Sequence, residues 1–109
     1  SASVAMEAYD AGETLFIDAM PANFYEKRRI QGAINMPLAL FDIMYMMALS
    51  EESKDKKIIV YGRTLSRRYD AEVANKLVLR GHKNVSLLDG GFWAWEKKGY
   101  PVEWEEEET

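Results

Sequence analysis

The chain has no cysteine among its 109 residues. That excludes disulfides, thiolate metal sites and any reaction that needs a thiol of its own. A cysteine-free chain is compatible with a reducing compartment, and the expected location is the cytoplasm. There is no excess of positive charge either: 14 Lys and Arg stand against 18 Asp and Glu, a net charge of −4. A nucleic-acid binder working through a bulk positive field is therefore not expected. No apolar run approaches the ~20 residues a bilayer span needs, so no membrane partner is expected. No secretory signal pattern is present, and the chain opens at Ser1 without an initiator Met, as a processed or excised chain would. No metal and no cofactor is expected. The sole histidine, His82, follows Gly81 in a turn. It is expected to be exposed and non-catalytic.

What is present suits one ordinary domain with a real core. An apolar fraction of 48% beside a charged fraction of 29% is that of a globular protein, and the length suffices without staples. The expected division is a single domain over residues 1–104 and an acidic, disordered tail over 105–109. Ser3 is placed to cap a first helix, with Val4, Ala8 and Tyr9 sharing its inner face and Gly12 ending it. Leu15-Phe16-Ile17-Asp18 reads as a buried strand ending in a carboxylate. Pro21 opens a brief helix to Lys27 with Phe24 turned inward, and residues 28–32 connect it to a strand at 33–36. Residues 38–49 read as a helix packed on the sheet. Some of Met44, Met46 and Met47 must then face outward as an adaptable, sticky surface.

The centre of the chain is Lys57-Ile58-Ile59-Val60-Tyr61-Gly62, a β-branched run halted by glycine. A polar, basic loop follows, with Ser66 as the expected N-cap of the next helix. That helix runs to about Arg80, with Ala71, Ala74, Leu77 and Val78 at helical spacing. A last strand at 85–88, a turn at Asp89-Gly90-Gly91, a helix to Lys98 and a trailing 101–103 complete the pattern. Strands alternating with helices predict a parallel α/β sheet covered on both faces. The loop after Tyr61 then lies at a strand's carboxyl end and a helix's amino end, where backbone N–H groups and the helix dipole favour anions.

These residues resemble the rhodanese-like (sulfurtransferase) domain. The likeness runs from about Ser3 to Glu103. Its carriers are Leu15–Asp18, Ile30-Gln31-Gly32-Ala33-Ile34-Asn35-Met36-Pro37, Ile58–Tyr61 and Leu88-Asp89-Gly90-Gly91-Phe92-Trp93-Ala94-Trp95. The resemblance implies an α/β fold with roughly five parallel strands and helices on both faces. It also implies a cysteine at the end of the central strand that takes up a sulfane sulfur and passes it to an acceptor. The loop from that cysteine runs here from Gly62 through Arg67, and its backbone N–H groups cradle the anionic sulfur.

The cysteine position is Gly62. A thiolate is the nucleophile such chemistry needs, and glycine supplies none. Met20 stands where the family usually has Arg, and Arg28-Arg29 replaces its common Gly-His pair. The expected protein is a rhodanese-like module without sulfurtransferase activity in this form. It would bind a small anion (sulfate, thiosulfate or phosphate-like) or an acidic protein segment through Gly62, Arg63, Thr64, Leu65, Ser66, Arg67 and Arg68. Arg67 matches the family's loop arginine, and stapling of the loop competes with ligand binding as its role. Asp18, Arg29 and Trp93 are expected as supporting residues, with Asp18 buried against neighbouring backbone as in the family. Of Trp93 and Trp95, one is expected in the core and the other at the rim. The alternative is a sulfurtransferase whose cysteine was replaced in this chain or is supplied by a partner. Phosphate-ester chemistry is favoured least, because that branch of the fold also relies on a loop cysteine.

Overall fold

The computed structural model describes residues 1–63 and 68–105. Ser1 caps α1 (Ala2–Ala11), its hydroxyl accepting from Val4 N, and Gly12 ends the helix in the left-handed region at φ 76°. β1 (Thr14–Asp18) leads into α2 (Ala22–Lys27), then the short strands β2 (Arg29–Ile30) and β3 (Ile34–Asn35). Pro37 introduces a single 3-10 turn over Leu38–Leu40, which runs into α3 (Phe41–Ala48). β4 (Lys57–Tyr61), α4 (Tyr69–Leu79), β5 (Val85–Leu87), α5 (Gly91–Lys97) and β6 (Val102–Glu103) follow.

The strands β3-β1-β4-β5 form one parallel sheet in that order. Four strands among the described residues come close to the five implied by the resemblance. β1 and β4 sit at the centre, paired from Thr14 with Lys57 to Asp18 with Tyr61. Because successive strand side chains point to opposite faces, each central strand feeds two cores. Phe16, Ile59 and Tyr61 join Ala2, Ala5, Phe92 and Trp95 on one face. Ile17, Ile58 and Val60 join Phe41, Tyr45, Val73 and Leu77 on the other. Both faces are thus covered by helices, which is why these strands read as continuous apolar runs. No helix among the described residues is long and apolar enough to cross a membrane.

Several expectations are corrected. Ser1, not Ser3, caps α1, and the helix buries Ala2 and Ala5 while Val4 faces out. In α2 it is Tyr25 that turns inward, because its hydroxyl finds the Ala33 carbonyl at 2.7 Å; Phe24 is exposed. On α4 the buried face is Asp70, Val73 and Leu77, with Val78 outside. Residues 102–103 do not trail away: they pair antiparallel with β2, and Glu103 Oε1 accepts from Arg29 Nε and Gly32 N. Of the tail, Glu105 N still donates to Glu26 O at 3.1 Å, while 106–109 lie outside the described residues.

His82 is also corrected: it is 2% exposed, not a surface residue. Gly81, at φ 98°, turns the chain so that the imidazole enters the space beside α3, where Nε2 lies 2.8 Å from Tyr45 Oη. Lys54 Nζ donates to the same oxygen at 2.6 Å. An ammonium has no acceptor, so the tyrosine's own proton is directed to His82 Nε2. On α3, Met46 and Met47 are 66% and 76% exposed, which leaves an apolar outer surface.

Candidate binding site at the carboxyl end of the sheet

β4 ends where its last buried residue, Tyr61, gives way to Gly62. The Gly62 carbonyl accepts from Phe92 N at 2.8 Å, tying the strand end to the first turn of α5. This approach requires Gly91. A β-carbon there would press into the Gly62 carbonyl oxygen, and Gly91 sits at φ 59°, the left-handed region that glycine enters freely. Gly62 itself is not at positive φ, and a β-carbon on it would meet nothing nearer than Asp70 Cβ and Cγ at 3.6 Å.

Above Gly62 lies a cleft of about 410 Å³ lined by Arg63, Arg68, Asp70, Leu87, Asp89, Gly90 and Trp93, among others. Trp93 stands at its rim, 62% exposed, with Lys97 Nζ 4.6 Å from its ring centroid. Trp95 is fully buried, its indole N–H donating to Pro101 O at 2.9 Å. The expected split of the two tryptophans is therefore observed.

The basic residues divide in function. Arg63 turns inward. Its guanidinium lies over the Phe92 ring at 4.3 Å, donates to the carbonyls of Phe24 and Arg28, and reaches Asp18 Oδ2 at 3.8 Å. Arg68 stays at the cleft, where Nε donates to Asp70 Oδ1 at 3.2 Å. Arg68, not Ser66, occupies the N-cap position of α4, and no side chain caps it. Thr64, Leu65, Ser66 and Arg67 lie outside the described residues. Arg29 is held at the β2–β6 seam by Glu103 and by the carbonyls of Tyr25 and Glu26.

Asp18 is completely buried at the end of β1, beneath this region. Burial raises its carboxyl above the ordinary range, opposed by the N–H of Met20, the Arg63 charge, the Tyr61 hydroxyl and the more distant Arg29. The Met20 N–H bond to Oδ1 is 2.9 Å. Burial likewise raises the Tyr61 hydroxyl, with Asp18 adding to the shift, and that hydroxyl accepts from Ile30 N at 3.0 Å. Asp18, Tyr61 and Arg63 therefore form a buried brace at the carboxyl ends of β1 and β4. Asp70 and Asp89 at the cleft were not foreseen. Asp70 had a signal, since an acidic residue in the first turn of a helix complements its dipole.

The family model for the rhodanese-like domain matches residues 1–98. The chain belongs to the rhodanese-like domain family. A sulfurtransferase from Allochromatium vinosum is 28% identical over 102 residues, covering 94% of this chain and 90% of that protein. An HTH-type transcriptional regulator from Mycobacterium tuberculosis, Rv0324, is 33% identical over 95 residues. That match covers 86% of this chain but only 39% of the regulator. Among solved structures, the Alr3790 protein from Anabaena sp. superposes with a TM-score of 0.81 at 28% identity, covering 95% of this chain and 90% of that one. The fold and its kinship with sulfurtransferases are thus established. The complete lack of cysteine fits a non-catalytic form of this rhodanese-like domain.

Proposed function

We propose that this rhodanese-like domain is catalytically silent and acts by binding. The 62–68 loop, whose residues Gly62, Arg63 and Arg68 line the cleft, takes an anionic group, either a small oxyanion such as sulfate, thiosulfate or phosphate, or an acidic side chain of a protein partner. The observation that carries this reading is Gly62, which stands at the end of β4 on the cleft lining where a nucleophile would be needed. Removing a thiol abolishes persulfide chemistry but leaves a strand-to-helix loop beside a guanidinium and a helix start, features that attract anions. The relative that is a transcriptional regulator supports a regulatory role, and a cysteine-free chain suits the cytoplasm.

The test is a thiosulfate:cyanide assay of this chain beside an amide-resolved NMR titration with thiosulfate. No thiocyanate above the blank, with saturable shifts at Gly62, Arg68 and Gly91, is the expected result. Turnover by the cysteine-free chain would overturn the silent reading. The second reading, a sulfurtransferase whose cysteine was replaced here or comes from a partner, is favoured by the room for a β-carbon at Gly62, which would meet Asp70 Cβ and Cγ at an ordinary 3.6 Å. The source gene's codon 62 decides its first version. In its second version, activity appears only when a cysteine-bearing partner is added.

A further inference from the structure

The cleft is lined by Arg68 and by Asp70 in the first turn of α4, and both the guanidinium and a helix start attract an anion. One carboxylate already takes a donor from each. Asp70 Oδ1 accepts from Ala71 N at 2.9 Å and from Arg68 Nε at 3.2 Å. The side chain is 11% exposed, so it is held in place by the fold and is not a swinging surface group. It also lines the cleft, with Cβ and Cγ 3.6 Å from where a Gly62 side chain would begin.

From this arrangement we infer that Asp70 is a built-in competitor: its carboxylate occupies the anion-attracting elements of the cleft and sets a threshold that any external anion must overcome. The inference rests on the anion-binding reading above and specifies how that binding is regulated. A like charge within a few ångströms disfavours a second anion, and the helix-start N–H it takes is lost to a ligand. A free oxyanion therefore binds weakly. A ligand able to draw Arg68 away from Asp70, such as an acidic segment contacting several groups at once, overcomes the threshold more readily. The same carboxylate bears on thiol chemistry. A cysteine placed at residue 62 would start beside Asp70, and a neighbouring negative charge raises a thiol's pKa and suppresses the thiolate.

Two measurements test this, using the whole chain. In the first, the wild type and Asp70→Asn are titrated with thiosulfate by NMR. Asparagine keeps an oxygen that can accept from Ala71 N, so the helix start is preserved. The expected result is at least tenfold tighter binding by Asp70→Asn. Equal saturable binding by both would overturn the competitor while leaving the anion-binding reading intact. No binding by either would overturn both. In the second, the thiol pKa of Gly62→Cys is compared with that of Gly62→Cys/Asp70→Asn by pH-dependent alkylation. A lower pKa in the double variant is expected, and an unchanged one would overturn the inference even if the first variant folds poorly.

Discussion

Arg63 and Asp18 lie 45 positions apart in the chain, yet the guanidinium stands 3.8 Å from a carboxylate that has no access to solvent. The arginine that the polar loop offers to a ligand in sequence is thereby directed into the body of the domain. It binds β1, the α2 segment and α5 to the strand end at Gly62. Of the two described arginines that line the cleft, Arg63 is thus committed inward and Arg68 is paired with Asp70.

Removing that brace has a signed consequence. Asp18 titrates above the ordinary carboxylate range because of burial, and the Arg63 charge opposes that shift. A raised folded-state pKa means stability that is full below the unfolded pKa and lost as pH rises through the folded one. Arg63→Ala raises it further, so its deficit should be larger at pH 7 than at pH 4. A loss of about 3–5 kcal/mol at pH 7 is expected, typical of breaking a buried pair. Urea unfolding at the two pH values checks it; a deficit independent of pH would contradict the pairing.

The two glycines of the cleft should respond in opposite ways. Gly91→Ala forces a β-carbon into the Gly62 carbonyl at a left-handed φ. It should cost about 2–4 kcal/mol and disturb the Phe92 N to Gly62 O bond. Gly62→Ala meets only ordinary contacts, and it should stay within about 1 kcal/mol of wild type in either direction. Thermal or urea unfolding of both variants settles the contrast.

His82 makes stability depend on pH at the opposite edge of the molecule. Burial, then the Lys54 charge, lower its pKa below the ordinary value. Its neutral form is the folded one, so stability is full above the unfolded pKa near 6.5 and falls as pH drops toward the folded value. Tyr45→Phe removes the shared hydroxyl and leaves both His82 and Lys54 without that partner. A cost of about 1–3 kcal/mol is expected at pH 7.5. Between pH 7.5 and 5.5 the wild type should lose more stability than His82→Gln, measured by urea midpoints.

Gly62→Cys tests how much of the sulfur-transfer site survives. The new β-carbon meets only ordinary contacts, with Asp70 Cβ and Cγ at 3.6 Å, so the variant should fold like wild type. Incubated with thiosulfate, its thiolate should take the outer sulfur as the thiosulfate S–S bond breaks and sulfite leaves, a gain of one sulfur atom in mass, slowly because of Asp70. Failure to form any persulfide, even in the double variant with Asp70→Asn, would show that the loop no longer presents residue 62 to a donor.

By itself the sequence determined the parts whose cause is local. Apolar runs of β-branched residues set β1 and β4, turn residues set their ends, and the motif order set the family. The same string placed Gly62 at the reaction position, because a missing side chain is a local fact. Tertiary structure decided which charges remain available. Asp18 meets Arg63, and Tyr45 meets His82, through strand register and helix packing across long stretches of chain, while Lys54 and Asp70 reach their partners Tyr45 and Arg68 from nearer by. No periodicity encodes such meetings. The central loop therefore reads as basic and open in sequence, while its described residues carry one guanidinium held inward and another held by Asp70.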